Sequence, residues 1–387
     1  MERCRFAVAG LSLRGTSLMR VANDPAKGWD LVMAADPSAE AREKFLEKNP
    51  GTEMVDSFDK LLDKNKIDAV FIVTPDYCHE EQAIAALKAG IAVYCEKPMA
   101  ITIEGCDRMM RTAYETGSKL FIGHNMRYYP VVTKMKEIID SGVIGEIQCG
   151  WCRHFVSYGG DAYFRDWHSE QKNTTGLLLQ KGAHDIDVMH YCMSGSTSRV
   201  VGMGMLSVYD RCARRSEKEK GCAVWKDGQY PPLEQTGFSP VIDVEDHNMI
   251  MMQFSNGMQA TYMQCHYTPD SERNYTFIGT KGRIENIGDH DNCQIHVWTS
   301  RTSRQTPDQI YYLRKTEGTH GGSDSLIVPS FFDFVMHDAK VHVSPVDARN
   351  AVAVGVLGHA SMRNGNIPQD IPPVDPVLEE YFSKMVK

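Results

Sequence analysis

The chain has 387 residues, longer than one hydrophobic core of ~250 to 300 residues supports, so two domains are expected. Its 42 basic and 50 acidic residues give a net charge of -8 with no basic block, which argues against nucleic acid and anionic membrane surfaces as partners. No apolar run approaches the ~18 residues of a membrane span, and strand-like "RFAVAG" starts so early that no signal peptide is expected; the 11 scattered cysteines then read as reduced thiols of a cytoplasmic protein.

Residues 1–123 alternate apolar runs ("RFAVAG", "DLVMAAD", "AVFIVTP", "AVYCEKP", "KLFIGHN") with helical patterns such as "SAEAREKFLEK", "EEQAIAALKAG" and "TIEGCDRMMRTAYETG". Gly90 and Gly117 fall where a helix C-cap takes positive φ. Continuous apolar runs suit strands buried on both faces, and strand–helix repetition forces parallel pairing with right-handed crossovers. The expectation is a doubly wound, Rossmann-type parallel sheet whose ligand lies outside the carboxyl ends of its strands.

The loops at those ends carry the candidate chemistry. Gly10-Leu-Ser-Leu-Arg-Gly15 is G-x-G-x-x-G with Ser12 for the second glycine; Gly10, Ser12, Leu13 and Gly15 would receive a pyrophosphate at a helix N-terminus. Asp36 ends the second run at about the ~20-residue distance of a carboxylate that accepts ribose hydroxyls and repels a 2′-phosphate, so NAD is expected over NADP. The plainer role for Asp36 is to cap the helix at "PSAEA". "AVFIVTP" exits into Thr74-Pro75 and reaches His79, and "AVYCEKP" exits into Glu96-Lys97-Pro98, where a solvated ion pair is the alternative to a functional lysine. Pro98, with fixed φ and no N–H, ends strand pairing and aims the side chains before it.

Residues 124–387 change character: an α+β domain with a large, mostly antiparallel sheet is expected. "EIQCGWCRHF" reads as a strand, which puts Cys149 and Cys152 on opposite faces and weakens a CxxC redox or metal reading. The helix "TGLLLQKGAHDIDVMHYCMSG" follows, then "RVVGMGMLSV", "HNMIMMQFSNGMQATYMQCHY", "YTFIGTKGRIENI" and "CQIHVWTS", with Asn256-Gly257 as a hairpin turn. The tail is helical at "PSFFDFVMHDAK" and "VDARNAVAVGVLGHASM", and these helices are expected to pack back on one of the domains. Alternation in "MIMMQF" and "ATYMQC" leaves one sheet face apolar, as in a homodimer or homotetramer.

The Gly-rich turn, Thr-Pro…His, Glu-Lys-Pro, "GHNMRYYP", "SGVIGEI" and "GTKGRIE", in this order, resemble the Gfo/Idh/MocA family of NAD(P)-dependent oxidoreductases from residue 5 to about 290. The resemblance implies cofactor contacts at Thr74, Pro75, His79, Glu96, Lys97 and Asn125, a substrate contact at Arg127, and Lys97 on the reacting hydroxyl. The family's second motif, Asp-x-Gly-x-His-x-x-Asp, stands here as Gln180-Lys-Gly182-Ala-His184-Asp-Ile-Asp187. Gln180 and His184 lie one helical turn apart on one face, and a histidine, with an ordinary pKa near ~6.5, is the natural base. Gln180 cannot ionise, so any carboxylate role at that position is in doubt. Lys181 adds an ammonium. His184, Asp187 and His190 also share metal-ligand spacing, yet no metal is expected because a nicotinamide makes one dispensable.

"YGGDAYFRDWHSEQKN" supplies Tyr163, Arg165, Trp167 and His168 for a ring with many hydroxyls, and "THGGSD" resembles a loop that closes on substrate. The implied activity is hydride transfer between a sugar or cyclitol hydroxyl and NAD, with His184 as base and Lys97 on the oxygen. The alternative enzyme is a glycosidase of the same fold working by transient oxidation, elimination and re-reduction. A nucleotide-bound regulatory partner is disfavoured by the presence of Lys97 and His184.

Overall fold

The first ten regular elements alternate strand and helix, except that β4 follows β3 with no α-helix between them: β1 (Cys4–Ala9), α1 (Leu13–Ala22), β2 (Trp29–Ala35), α2 (Ala39–Lys48), β3 (Glu53–Val55), β4 (Ala69–Ile72), α3 (His79–Lys88), β5 (Ala92–Cys95), α4 (Ile103–Thr116) and β6 (Leu120–Ile122). There follow α5 (Pro130–Asp140), β7 (Ile147–Phe155), α6 (Gln171–Thr174), α7 (Leu177–Met193), β8 (Thr197–Met205), β9 (His247–Phe254), β10 (Gln259–Cys265), β11 (Glu272–Gly279), β12 (Arg283–Ile287), β13 (Gln294–Trp298) and β14 (Gln309–Tyr312). The chain closes with α8 (Asp324–His337), α9 (Pro345–Arg363), β15 (Gln369–Asp370) and α10 (Pro376–Ser383). This is a computed structural model that describes residues 3–219, 221, 230–290, 292–301, 306–314 and 320–386. They gather into two units, Met1–Tyr128 with Glu317–Arg349 and Pro373–Lys387, and Tyr129–Thr316 with Asn350–Pro372.

In the first unit six parallel strands run in the order β3-β2-β1-β4-β5-β6. The order reverses between β1 and β4, so the loops leaving these two strands bound the crevice in which such sheets take ligands. Phe6, Val8, Phe71 and Tyr94 are buried, and α8 covers them with Phe331 and Phe332. Trp29 stacks on Phe332 at 4.3 Å, and Phe71 meets Phe331 edge-on at 4.9 Å. "PSFFDFVMHDAK" suggests a helix opening at Pro329, but α8 begins at Asp324 and Pro329 lies inside it. Proline is a strong start signal, and here the start lies more than a turn earlier.

The second unit is built on nine described strands in the order β14-β13-β12-β11-β7-β10-β9-β8-β15. All the pairings are antiparallel except β7 with β10. Along β9, Asn248, Ile250, Met252 and Phe254 turn inward while Met249, Met251 and Gln253 are exposed, the period-2 alternation of a one-sided sheet. The Asn256-Gly257 turn forms as expected: Gly257 has φ of +89°, and the Phe254 N–H donates to Met258 O at 2.9 Å. Cys152 is buried and Cys149 half-buried, on alternate sides of β7. No helix among the described residues is long and apolar enough to cross a membrane.

Candidate active site

At the mouth of the first sheet the turn after β1 admits only glycine at its two ends. A Cβ on Gly10, which has φ of +90°, would stand 2.4 Å from Val73 O, and one on Gly15 would stand 2.0 Å from Gly10 O. Ser12 is the N-cap of α1 in extended conformation, its hydroxyl makes no capping bond, and the first turn holds no acidic residue. A tight turn that delivers a helix N-terminus without a local carboxylate fits a dinucleotide pyrophosphate. The Asp36 carboxylate accepts from the Leu11 N–H at 2.9 Å and the Ser38 N–H at 2.8 Å. It therefore ties the turns after β1 and β2 together, while Ser38 itself caps α2 through the Ala41 N–H.

The Glu-Lys-Pro turn is braced from two directions. The Glu96 carboxylate is buried and takes Arg14 Nε at 2.8 Å, and the other face of the Arg14 guanidinium reaches Asp324 at 2.7 Å. Burial opposes the Arg14 charge, but the two carboxylates hold its pKa above the ordinary arginine range. Asp324 also accepts from Asn125 Nδ2 at 3.4 Å. The second oxygen of Glu96 takes the Lys97 N–H at 3.2 Å, and the Lys97–Pro98 bond is cis.

From the other side His79 is fully buried with Nδ1 2.8 Å from Pro98 O and Nε2 2.9 Å from Thr74 O, and burial lowers its pKa. With a carbonyl oxygen beside each ring nitrogen, His79 braces the two loops that were expected to meet the cofactor. Glu96 likewise serves Arg14. Thr74 Oγ1 donates to Gln82 at 2.7 Å, and Pro75 opens the short turn before α3.

In the second unit every residue of α7 but Tyr191 is buried, including Gln180, Lys181 and His184. Gly182 brings α7 close to the sheet: a Cβ there would lie 3.1 Å from the Tyr262 ring. Lys181 Nζ donates to Tyr158 Oη at 3.2 Å and sits 5.0 Å and 4.8 Å from the centroids of Tyr158 and Tyr163. His168 meets the edge of Tyr163 at 5.0 Å and stacks on Trp167 at 3.6 Å. The structure thus gathers Lys181, Tyr163, Trp167 and His168 into one aromatic and cationic cluster. His190 turns elsewhere, with Nε2 2.8 Å from Thr197 Oγ1.

The two arginines expected at substrate each bond to backbone carbonyls within their own unit. Arg165 donates to Gly160 O at 2.5 Å and Thr236 O at 2.7 Å with its guanidinium 4.4 Å from the Phe238 centroid. Arg127 donates to His342 O at 2.7 Å and lies 3.4 Å from Asp347. In "THGGSD", Thr319 lies outside the described residues, Gly321 and Gly322 take positive φ, and Asp324 is the partner of Arg14. Sequence reading missed Arg14, whose signal was only a basic residue inside the glycine motif. It also missed Asp185, buried beside His184.

Two family models match the chain: "Oxidoreductase family, NAD-binding Rossmann fold" over residues 4–124 and "Oxidoreductase family, C-terminal alpha/beta domain" over residues 136–371. The putative oxidoreductase YteT of Bacillus subtilis is 25% identical over 78% of this chain and 81% of its own length. Inositol 2-dehydrogenase of Salmonella typhimurium is 28% identical over 49% of this chain and 54% of its own length. A solved levoglucosan dehydrogenase, in complex with NADH and levoglucosan, superposes with a TM-score of 0.78 at 19% identity, covering 96% of this chain and all of that one. The chain belongs to the Gfo/Idh/MocA family of oxidoreductases, and its first unit is the family's NAD-binding Rossmann fold.

Proposed function

We propose that this protein is an NAD-dependent dehydrogenase acting on a hydroxyl of a sugar, sugar derivative or cyclitol, with Lys97 and His184 as its catalytic groups. The observation that carries the reading is α7, which holds Gln180, Lys181 and His184 together in buried surroundings beside the rings of Tyr158 and Tyr163. Aromatic faces next to hydrogen-bonding groups suit a ring bearing several hydroxyls. Relatives named inositol 2-dehydrogenase and 1,5-anhydro-D-fructose reductase support that substrate class. The residues that would hold the dinucleotide are Gly10, Ser12, Leu13 and Gly15 at the pyrophosphate and Asp36 at the ribose, with Asn125 and the loops at Thr74-Pro75 and Glu96-Lys97. When bound, the nicotinamide supplies a hydride acceptor for the carbinol carbon.

In this reading His184 takes the hydroxyl proton, and the Lys97 ammonium hydrogen-bonds the same oxygen and stabilises the charge that develops on it. Gln180, one turn from His184, orients a neighbouring hydroxyl without taking a proton. A panel of sugars, inositols and aryl glycosides offered to the purified protein with NAD tests the reading. Steady NADH formation with one of the sugars or inositols is expected. Aglycone release without net NADH would instead favour the transient-oxidation glycosidase, a reading to which a relative named a hydratase lends support.

In this reading cofactor choice follows from Asp36, whose negative charge at the end of β2 would repel a 2′-phosphate. Asp36→Ala is expected to weaken NAD far more than NADP, measured by titrating each cofactor into both proteins; NADP binding as tight as NAD in the unaltered protein would refute the assignment. We also infer that the outer face of the large sheet, where Met203, Met205, Met249 and Met251 are each more than half exposed, is covered by a second copy of the chain in a homodimer or homotetramer. A monomeric sedimentation profile at micromolar concentration would rule this out.

A further inference from the structure

Asp185 follows His184 on α7 but turns to the sheet, where it is wholly buried. Its Oδ2 accepts from His154 Nδ1 at 2.8 Å and Tyr262 Oη at 2.9 Å, and its Oδ1 accepts from Arg273 Nε at 2.9 Å and Tyr275 Oη at 2.5 Å. The register explains the convergence. Tyr262, Cys152 and Tyr275 form one cross-strand row of β10, β7 and β11, and Gln264, His154 and Arg273 form the next row on the same face. A carboxylate has about four lone-pair sites, and here all four are filled by donors, so it is held as the anion.

That filling dictates the state of His154. The nitrogen facing Asp185 must carry a proton, because the carboxylate has none to give. The side-chain hydrogen bonds of His154 among the described residues are all made at Nδ1. The charged and titratable groups around this imidazole are Asp185 and Lys181 on α7, Arg273 and Tyr275 on β11, Tyr262 on β10, and His266 beyond it. Burial, then the Arg273 charge, push the imidazole down to about 4, with Asp185 acting the other way and Lys181 adding to the fall. A neutral ring with Nδ1 protonated leaves Nε2 as a bare acceptor.

We propose that Asp185 is a positioning residue that fixes His154 as the neutral Nδ1–H tautomer, so that His154 Nε2 accepts a hydrogen bond from a substrate hydroxyl. The proposal rests on the reading of α7 as the substrate-side helix. It explains why a full set of donors is spent on a residue next to His184: α7 and the acceptor on β7 are fixed by one carboxylate. Asp185→Asn makes the opposite tautomer compulsory. Arg273 has no acceptor atom, so the new amide must turn its oxygen to Arg273 and its NH₂ to His154 and Tyr262, which can accept. His154 would then carry its proton on Nε2 and become a donor.

The test is nitrogen NMR of the histidine-labelled protein, with the His154 resonances assigned by their loss in His154→Gln. The expected result is an Nδ1–H, Nε2-bare ring at pH 7 and at pH 5.5, a switch to Nε2–H in Asp185→Asn, and a fall in kcat/KM of roughly 10-fold or more, the scale of one misdirected buried hydrogen bond. An Nε2–H or imidazolium ring in the unaltered protein overturns the proposal, and that measurement does not need Asp185→Asn to fold. A switched tautomer with unchanged kcat/KM overturns the substrate half. Because the tautomer is read without turnover, failure of the proposed dehydrogenase activity would show separately, as absence of NADH formation with every substrate offered.

Discussion

Lys97→Ala is expected to slow the hydride step by roughly 10²- to 10³-fold, the scale for one lost donor to a developing oxyanion, while the affinity for NAD barely changes. The expectation rests on how the turn is held. The Glu96 side chain accepts the Lys97 N–H, Arg14 pins Glu96, and His79 grips Pro98 O, so the backbone at residue 97 is set independently of the lysine side chain. Truncation should remove the ammonium and leave its scaffold standing. Single-turnover hydride transfer with a carbinol-deuterated substrate, read beside a cofactor titration, gives the answer. A loss found mainly in cofactor binding would place Lys97 in nucleotide recognition instead.

His184→Ala is expected to cost about 10² to 10⁴ in kcat/KM and to remove one ionisation from its pH profile, because the titrating base has gone. Gln180→Asp should move that ionisation in a known direction. A carboxylate one helical turn away favours the charged imidazolium and raises the His184 pKa. The base then stays protonated to higher pH, and the acid limb of kcat/KM moves upward in pH. The competing assignment makes Lys97 the base and leaves His184 to bind substrate. Profiles of all three variants separate the two, since a His184→Ala protein with its pH dependence intact, beside a Lys97→Ala protein without one, would reverse the roles.

What could be read in advance follows from how far each signal extends along the chain. The longer strands of the parallel sheet announced themselves because strands buried on both faces need unbroken apolar runs. β3 has three residues, none buried, and β14 is mostly exposed; neither carries a pattern distinguishable from loop. The α7 motif was legible because its chemistry repeats at helical spacing. The Asp185 network was not, because its donors come from residues 154, 262, 273 and 275 and meet only through strand register. The polar tips of Arg127, Arg165 and His79 looked like ligand groups, since a sequence does not reveal which carbonyl oxygens a buried donor will find.

The saturated carboxylate of Asp185 has a consequence for how this chain can change over time. Losing any one of its four donors leaves a buried anion short of a partner, whereas replacing donor and acceptor together by apolar groups of similar shape removes the demand. Effects of substitutions at His154, Tyr262, Arg273 and Tyr275 should therefore fail to add, each being worse in the presence of Asp185 than beside an apolar residue there. Lineages that abandon the network must cross a valley of single changes or shed several members at once, so the inner row of the sheet and its helix are inherited as a block. Met249 and Met251, on the outer face of the neighbouring β9, take no part in this linkage and can be replaced without touching the buried anion.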